Sequence, residues 1–157
     1  MEFSKELIAQ LRRHEEFVDH IYPDSLGYKT VGIGHKLTAD EIKMGAYKGG
    51  ITMADAEHML INDLSIIVAE LLEQAPWIAD LDAARRDVLF NMAYNMGAAG
   101  LLGFHQTLSF AHQGLWSLAS IQMTKSKWFE QVQADRSHEL VKQMETGKYR
   151  DGGTTYD

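Results

Sequence analysis

Glu15-Glu16-Phe17-Val18-Asp19-His20-Ile21-Tyr22-Pro23-Asp24-Ser25-Leu26-Gly27-Tyr28-Lys29-Thr30-Val31-Gly32-Ile33-Gly34-His35 passes from the end of a helix, through a turn, into a strand. Pro23-Asp24-Ser25-Leu26-Gly27 collects residues that favour turns, for reasons of fixed φ, side-chain bonding to backbone and left-handed tolerance. Tyr28 to Gly34 then alternates with period two. Lys29, Val31 and Ile33 share one face, and Tyr28, Thr30, Gly32 and Gly34 share the other. A small antiparallel sheet is predicted here.

Everything around this stretch reads as helix. Ser4 is a suitable N-cap, and Leu7, Ile8, Leu11, Glu15 and Val18 recur at helical spacing, so a first helix is predicted to end near Glu16. Thr38-Ala39-Asp40-Glu41 is a capping box opening a short helix, and Lys48-Gly49-Gly50 breaks the pattern. Thr52 caps a long helix to about Gln74, with Ala56, Met59, Leu60, Leu64, Ile67, Val68 and Leu71 on its apolar side and Pro76 beyond its end. Asp80 or Asp82 opens the next, whose stripe is Val88, Leu89, Met92, Ala93 and Met96 and whose C-cap is Gly97. Further helices are predicted around Phe104 to His112, Leu115 to Met123 and Arg136 to Glu145, closed by Gly147, with a frayed tail over 151–157. One small sheet followed by many helices is an α+β chain. A long helix between a sheet lobe and a helical lobe is expected to leave a cleft, a common place for ligands.

The chain has 157 residues, enough for one domain with a core of its own. It contains no cysteine, so neither disulfides nor thiolate zinc sites are available. A net charge of −7 removes the phosphate attraction that drives nucleic-acid binding, and nucleic acid is not expected as a partner. Met1-Glu2-Phe3-Ser4-Lys5-Glu6 lacks the apolar run of a signal peptide, and no stretch is long enough for stable membrane insertion, so a cytoplasmic protein is expected. The seven histidines show no metal-binding spacing, and no cofactor or metal is implied.

The residues that carry chemistry lie in the opening stretch. Glu15 follows Leu11 by four residues and Leu7 by eight, so it points to the apolar side of its helix, while Glu16 is turned about 100° away with Arg12 and Arg13. A carboxyl half-buried against apolar groups holds its proton more tightly, which suits a general acid. On spacing alone Glu15 reads equally well as a member of an ion pair, and Asp24 as an ordinary turn aspartate. A turn carboxylate is hydrated and stays charged. Thr30 shares its face with Gly32 and Gly34, and glycines in a strand mark a close approach of backbone or ligand. One protonated carboxyl, one carboxylate and a hydroxyl are the groups that glycoside hydrolysis needs.

The spacing Glu15-x8-Asp24-x5-Thr30, with Gly27-Tyr28-Lys29-Thr30-Val31-Gly32-Ile33-Gly34-His35, closely resembles the phage-type lysozymes. Thr52-Met53-Ala54-Asp55-Ala56-Glu57, Leu81-Asp82-Ala83-Ala84-Arg85-Arg86, Asn91-Met92-Ala93-Tyr94-Asn95-Met96-Gly97, Gly103-Phe104, Thr107-Leu108, Lys125-Ser126-Lys127-Trp128 and Thr146-Gly147 extend the resemblance from about Leu7 to Tyr149. The resemblance implies a mostly helical α+β lysozyme-like fold in one domain, 1–157. Its sheet lobe would span about 16–52, its long interlobe helix about 53–75, and its helical lobe about 76–149 plus helix 4–15.

It also implies a monomeric muramidase acting on the glycan strands of peptidoglycan. Glu15 would be the general acid, Asp24 the second carboxylate and, because the family inverts, a base, and Thr30 a water-placing hydroxyl. Tyr94, Asn95, Phe104 and Thr107 fall at expected sugar contacts, and Arg136 near an arginine that meets the catalytic glutamate. His35 aligns with a structural histidine and is expected to pair, buried, with Asp63 and to have a raised pKa.

Three departures stand out. Glu16 replaces the glycine that commonly follows the catalytic glutamate, the segment from His35 to Thr52 is short, and the net charge is acidic, which predicts a shallow salt dependence of activity. A lytic transglycosylase, and a wall-binding or virion structural module of the same fold, remain open alternatives.

Overall fold

The computed structural model describes residues 2–24 and 27–150. Ser25 and Leu26 of the predicted turn, and the tail predicted over 151–157, lie outside the described residues. Among the described residues the chain is α+β and mostly helical, with one three-stranded antiparallel sheet in the order β1-β2-β3. It forms two compact units that divide after Ile66.

The first unit opens with α1 (Lys5–Glu15), started by Ser4, whose Oγ accepts the Leu7 N–H at 3.0 Å. Leu7, Leu11 and His14 are its buried side, as the helical period requires. The sheet consists of β1 (Val18–Pro23), β2 (Lys29–Gly32) and β3 (His35–Lys36). Register places Tyr22 opposite Thr30, Pro23 opposite Lys29, Thr30 opposite Lys36 and Val31 opposite His35. Pro23 is tolerated because β1 is an edge strand.

The predicted alternation from Tyr28 to Gly34 is cut short. Gly32 and Gly34 both take φ of +73°, which bends Ile33-Gly34 into the turn between β2 and β3. Thr30, Val31 and Gly32 are all buried, so both faces of β2 are covered rather than one. α2 (Ala39–Met44) begins with the predicted capping box, in which Glu41 N–H donates to Thr38 Oγ1 at 3.1 Å and Thr38 N–H donates to Glu41 Oε1 at 2.8 Å. α3 (Met53–Gln74) starts with a second reciprocal pair between Thr52 and Asp55. Ala56, Leu60, Leu64, Val68 and Leu71 form its buried stripe.

In the second unit a 3-10 turn, Pro76–Asp80, precedes α4 (Ala83–Leu102), which is capped by Asp82. Sequence spacing predicts a stripe on α4, but every residue from Asp87 to Tyr94 is buried, so the helix is covered all round. Its polar members are therefore bonded: Asp87 accepts from Arg86 Nε at 3.1 Å and from the Tyr149 hydroxyl. Gly97, read as a C-cap, does break the helix, at φ +83°, ψ +158°, but a second helical piece follows directly, so α4 is two pieces meeting at a kink and running on to Leu102. α5 (His105–His112), α6 (Trp116–Thr124), α7 (Lys127–Gln131) and α8 (Ala134–Thr146) follow, with Gly147 closing α8 in the left-handed region. No described helix is long and apolar enough to cross a membrane.

Candidate active site

Glu15 is the last residue of α1 and is half-buried. Its carboxyl lies on the β2–β3 turn, where a Cβ built on Gly34 would come within 3.0 Å of Glu15 Cδ and 3.1 Å of Oε1. A side chain there would press on that carboxyl, which would have to give by a few tenths of an ångström, and the φ of +73° itself favours glycine. The close approach signalled by the paired glycines thus has two sources: Glu15 at Gly34, and Ile51 with Ala56 at Gly32.

Asp24 leaves β1 into the turn. Its N–H donates to Tyr28 O at 2.8 Å and its Oδ1 accepts the Tyr28 N–H at 2.8 Å, while Gly27, at φ +87°, donates to Asp24 O at 2.9 Å. Asp24 is thus a turn-former as well as a candidate catalytic group. One carboxylate oxygen is fixed by the turn, and Oδ2 lies 3.9 Å from Lys36 Nζ. Thr30, on the middle strand, is buried and donates its hydroxyl proton to Tyr28 O at 2.9 Å. With the proton committed, Thr30 Oγ1 offers lone pairs only.

Tyr22 ties these residues together. It stands across from Thr30, and the charges of Glu15, Asp24 and Glu16 all act on its phenol. Burial first, and then those three carboxylates, hold its proton above the ordinary range. Sequence reading passed over Tyr22. The available signal was the hairpin itself, since Tyr22 stands opposite Thr30 on one strand face once β1 pairs with β2.

His35 forms the expected pair, Nδ1 to Asp63 Oδ2 at 2.7 Å, and is raised to about 9 by that bond against the opposing effect of burial. A second carboxylate, not anticipated from sequence, takes the other ring nitrogen: Nε2 lies 2.9 Å from Glu41 Oε1. Glu41 also accepts from Tyr47 OH at 2.5 Å. Burial alone would raise Glu41, but the Thr38, Tyr47 and His35 donors bring it down to about 2.

The sugar-contact candidates lie in the second unit. Tyr94 and Thr107 are buried, and Asn95 Oδ1 accepts from Trp128 Nε1 at 2.9 Å. Phe104 meets the Trp128 ring edge-on at 6.5 Å, so Trp128 links Asn95 to Phe104. Phe104 and Thr107 both line a hollow of about 420 Å³ with Gln122 and Lys125. Arg136 is buried and donates to Asn91 Oδ1 from Nε at 3.1 Å and from a terminal nitrogen at 2.8 Å.

A family model described as phage lysozyme matches residues 12–145. The chain belongs to the phage lysozyme family. It is 28% identical over 148 residues to "Probable T4-type lysozyme 1" of Dictyostelium discoideum, covering 81% of this chain and 86% of that protein. It is 25% identical over 151 residues to "Probable T4-type lysozyme 2" of the same organism, covering 83% and 88%. It is also 27% identical over 151 residues to the "Pre-baseplate central spike protein Gp5" of Enterobacteria phage T4, covering 83% of this chain but 26% of that one.

Membership of the lysozyme family gives the Glu16 departure a physical meaning. Glu16 caps α1 at φ +58°, ψ +154°, a region that is essentially glycine-only. Its N–H still closes the helix on Arg12 O at 3.1 Å, and its side chain is exposed, so nothing buried demands glutamate there. Relief of a strain of about 1–3 kcal/mol, offset in part by glycine's larger unfolded-state entropy, should make Glu16→Gly more stable by about 1 kcal/mol. Glu16→Ala should show no such gain, because alanine keeps the Cβ. Urea unfolding of the three chains checks this, and an equal gain in both variants would count against backbone strain as the cause.

Proposed function

We propose that the chain is a muramidase, hydrolysing the β-1,4 bond between N-acetylmuramic acid and N-acetylglucosamine of peptidoglycan. The observation that carries this reading is the arrangement around Tyr22: a half-buried Glu15 seated on Gly34, an Asp24 with one oxygen fixed by its turn, and an acceptor-only Thr30. In this reading Glu15 protonates the leaving glycosidic oxygen. Asp24 acts as the base that takes a proton from the attacking water, and Thr30 Oγ1 receives that water's other proton as a hydrogen bond. Tyr94, Asn95, Phe104 and Thr107 are assigned to sugar contact and Arg136 to a charged supporting role, and the chain is taken as a single lysozyme domain. We assign no metal or cofactor to the reaction, and take the chain to work as a monomer. The biological role proposed is wall breakdown at the end of phage growth, with a separate permeabilising protein giving access to the periplasmic wall.

Similarity to a central spike protein favours one further reading, a virion-borne wall-binding module of the same fold with little turnover. Digestion of purified sacculi separates the readings. A muramidase releases new reducing ends on muramic acid. A transglycosylase releases 1,6-anhydro ends, lighter by one water. A module without turnover releases neither while still sedimenting with the wall, and that outcome removes the enzyme reading.

A further inference from the structure

We propose that Tyr22 is a further residue of the same reaction, its phenol O–H holding the attacking water together with Asp24 and Thr30. This rests on the muramidase reading above.

The placement comes from the sheet. Tyr22 and Thr30 are direct partners across β1 and β2, which sets their Cβ atoms about 5 Å apart on one face. Asp24 follows the end of β1 directly, and its charge also acts on the Tyr22 phenol. The register of β1 shifts between Val18 and Tyr22. A bulge at such a point re-aims the side chain that follows it, and bulges gather beside active sites. The Glu15 carboxyl reaches the same neighbourhood from α1, since its charge acts on the phenol along with those of Asp24 and Glu16.

The need for a donor comes from counting protons. A water that attacks an anomeric carbon has two protons and two lone pairs. One proton goes to Asp24, and the other is hydrogen-bonded by Thr30 Oγ1, whose own proton is already given to Tyr28 O. One lone pair forms the new C1–O bond as the old glycosidic C1–O bond breaks and Glu15 gives its proton to the departing oxygen. The remaining lone pair requires a donor, and neither Asp24 as a carboxylate nor Thr30 supplies one. Tyr22 does: among the described residues its hydroxyl has no hydrogen-bond partner, and burial, with the negative charges of Asp24 and Glu16, keeps it protonated while Glu15 holds its own proton. It keeps that proton throughout, so it orients the water without titrating.

Tyr22→Phe removes only the hydroxyl and leaves the ring to pack. Wild type, Tyr22→Phe and Glu15→Gln are compared by reducing-end release from sacculi across pH, with thermal unfolding of each. The expected result for Tyr22→Phe is a kcat about 10- to 100-fold lower, with KM, melting temperature and both limbs of the pH profile unchanged. Full kcat in Tyr22→Phe beside an active wild type overturns the water-holding role and leaves the muramidase reading standing. A fall in melting temperature with a matching rise in KM assigns Tyr22 to packing instead, and also overturns it. A wild type that releases no reducing ends removes the muramidase reading, and this inference with it.

Discussion

Glu15→Gln is expected to clear a suspension of outer-membrane-permeabilised Gram-negative cells at least about a thousand times more slowly than wild type, a loss in the range set by removing an essential proton donor. The sugar oxygen leaving an anomeric centre is a poor leaving group unless protonated as the bond breaks. Glutamine has the size and shape of glutamic acid, so it still fits over Gly34, where a Cβ in place of the glycine hydrogen would come within 3.0 Å of the Glu15 carboxyl carbon. What it lacks is a transferable acidic proton. Because the loss is confined to the transition state, kcat should fall while binding to sacculi and the melting temperature stay close to wild type. Turbidity loss and sedimentation with sacculi, measured on the same preparations, decide the matter. Retention of more than about a tenth of the wild-type rate would be incompatible with Glu15 as the general acid, since such donors contribute about a hundredfold or more. The turn that receives Glu15 also sets a limit on substitution there, because any side chain at Gly34 meets the carboxyl and strains a φ of +73°.

The second large effect is on stability, and it comes from His35. Its imidazole is clamped between Asp63 at 2.7 Å and Glu41 at 2.9 Å, and its pKa rises from 6.5 to about 9. A group whose pKa is higher folded than unfolded stabilises the fold when protonated. The contribution is therefore full below about pH 6.5, declines as pH rises, and is gone above about pH 9. At the low-pH end it amounts to about 3 kcal/mol, taking 1.36 kcal/mol per unit. His35→Asn should accordingly be less stable than wild type by about 3 kcal/mol at pH 6, with the gap closing towards pH 9.5. Glu41 works in the opposite sense: held down to about 2, it contributes above pH 4.5 and loses that contribution as pH falls through its folded value. Urea unfolding of wild type and His35→Asn at pH 6, 7.5 and 9.5 tests the coupling. A difference between the two chains that stays constant over this range would show that the histidine acts by packing and not by charge.

Local chemistry made much of this protein legible from sequence. The caps Ser4, Thr38 and Thr52 start their helices as the sequence predicts, and of the two candidates Asp80 and Asp82 it is Asp82 that caps α4, because each cap places a side-chain oxygen against amides only a few residues away. The α+β class followed from two periods in one chain, and the pairing of His35 with Asp63 from the family resemblance. Glu15, Asp24 and Thr30 were legible as candidates because their spacing places them at a helix end, a turn and a strand.

Tertiary structure decided the rest. Gly97 reads as a stop and does break the helix at positive φ, yet a second helical piece follows at once and buries Ala98 and Leu101, a continuation set by packing and not by the local signal. Gly32 and Gly34 read as members of a strand, yet they bend the chain to admit groups from α1, residue 51 and α3 that are distant in sequence. The second carboxylate on His35 and the convergence of Glu15, Asp24 and Glu16 on Tyr22 have the same origin. They are meetings between side chains carried on different elements. A sequence specifies periods and caps within an element, whereas the burial and charge that set a proton's affinity depend on which elements come together.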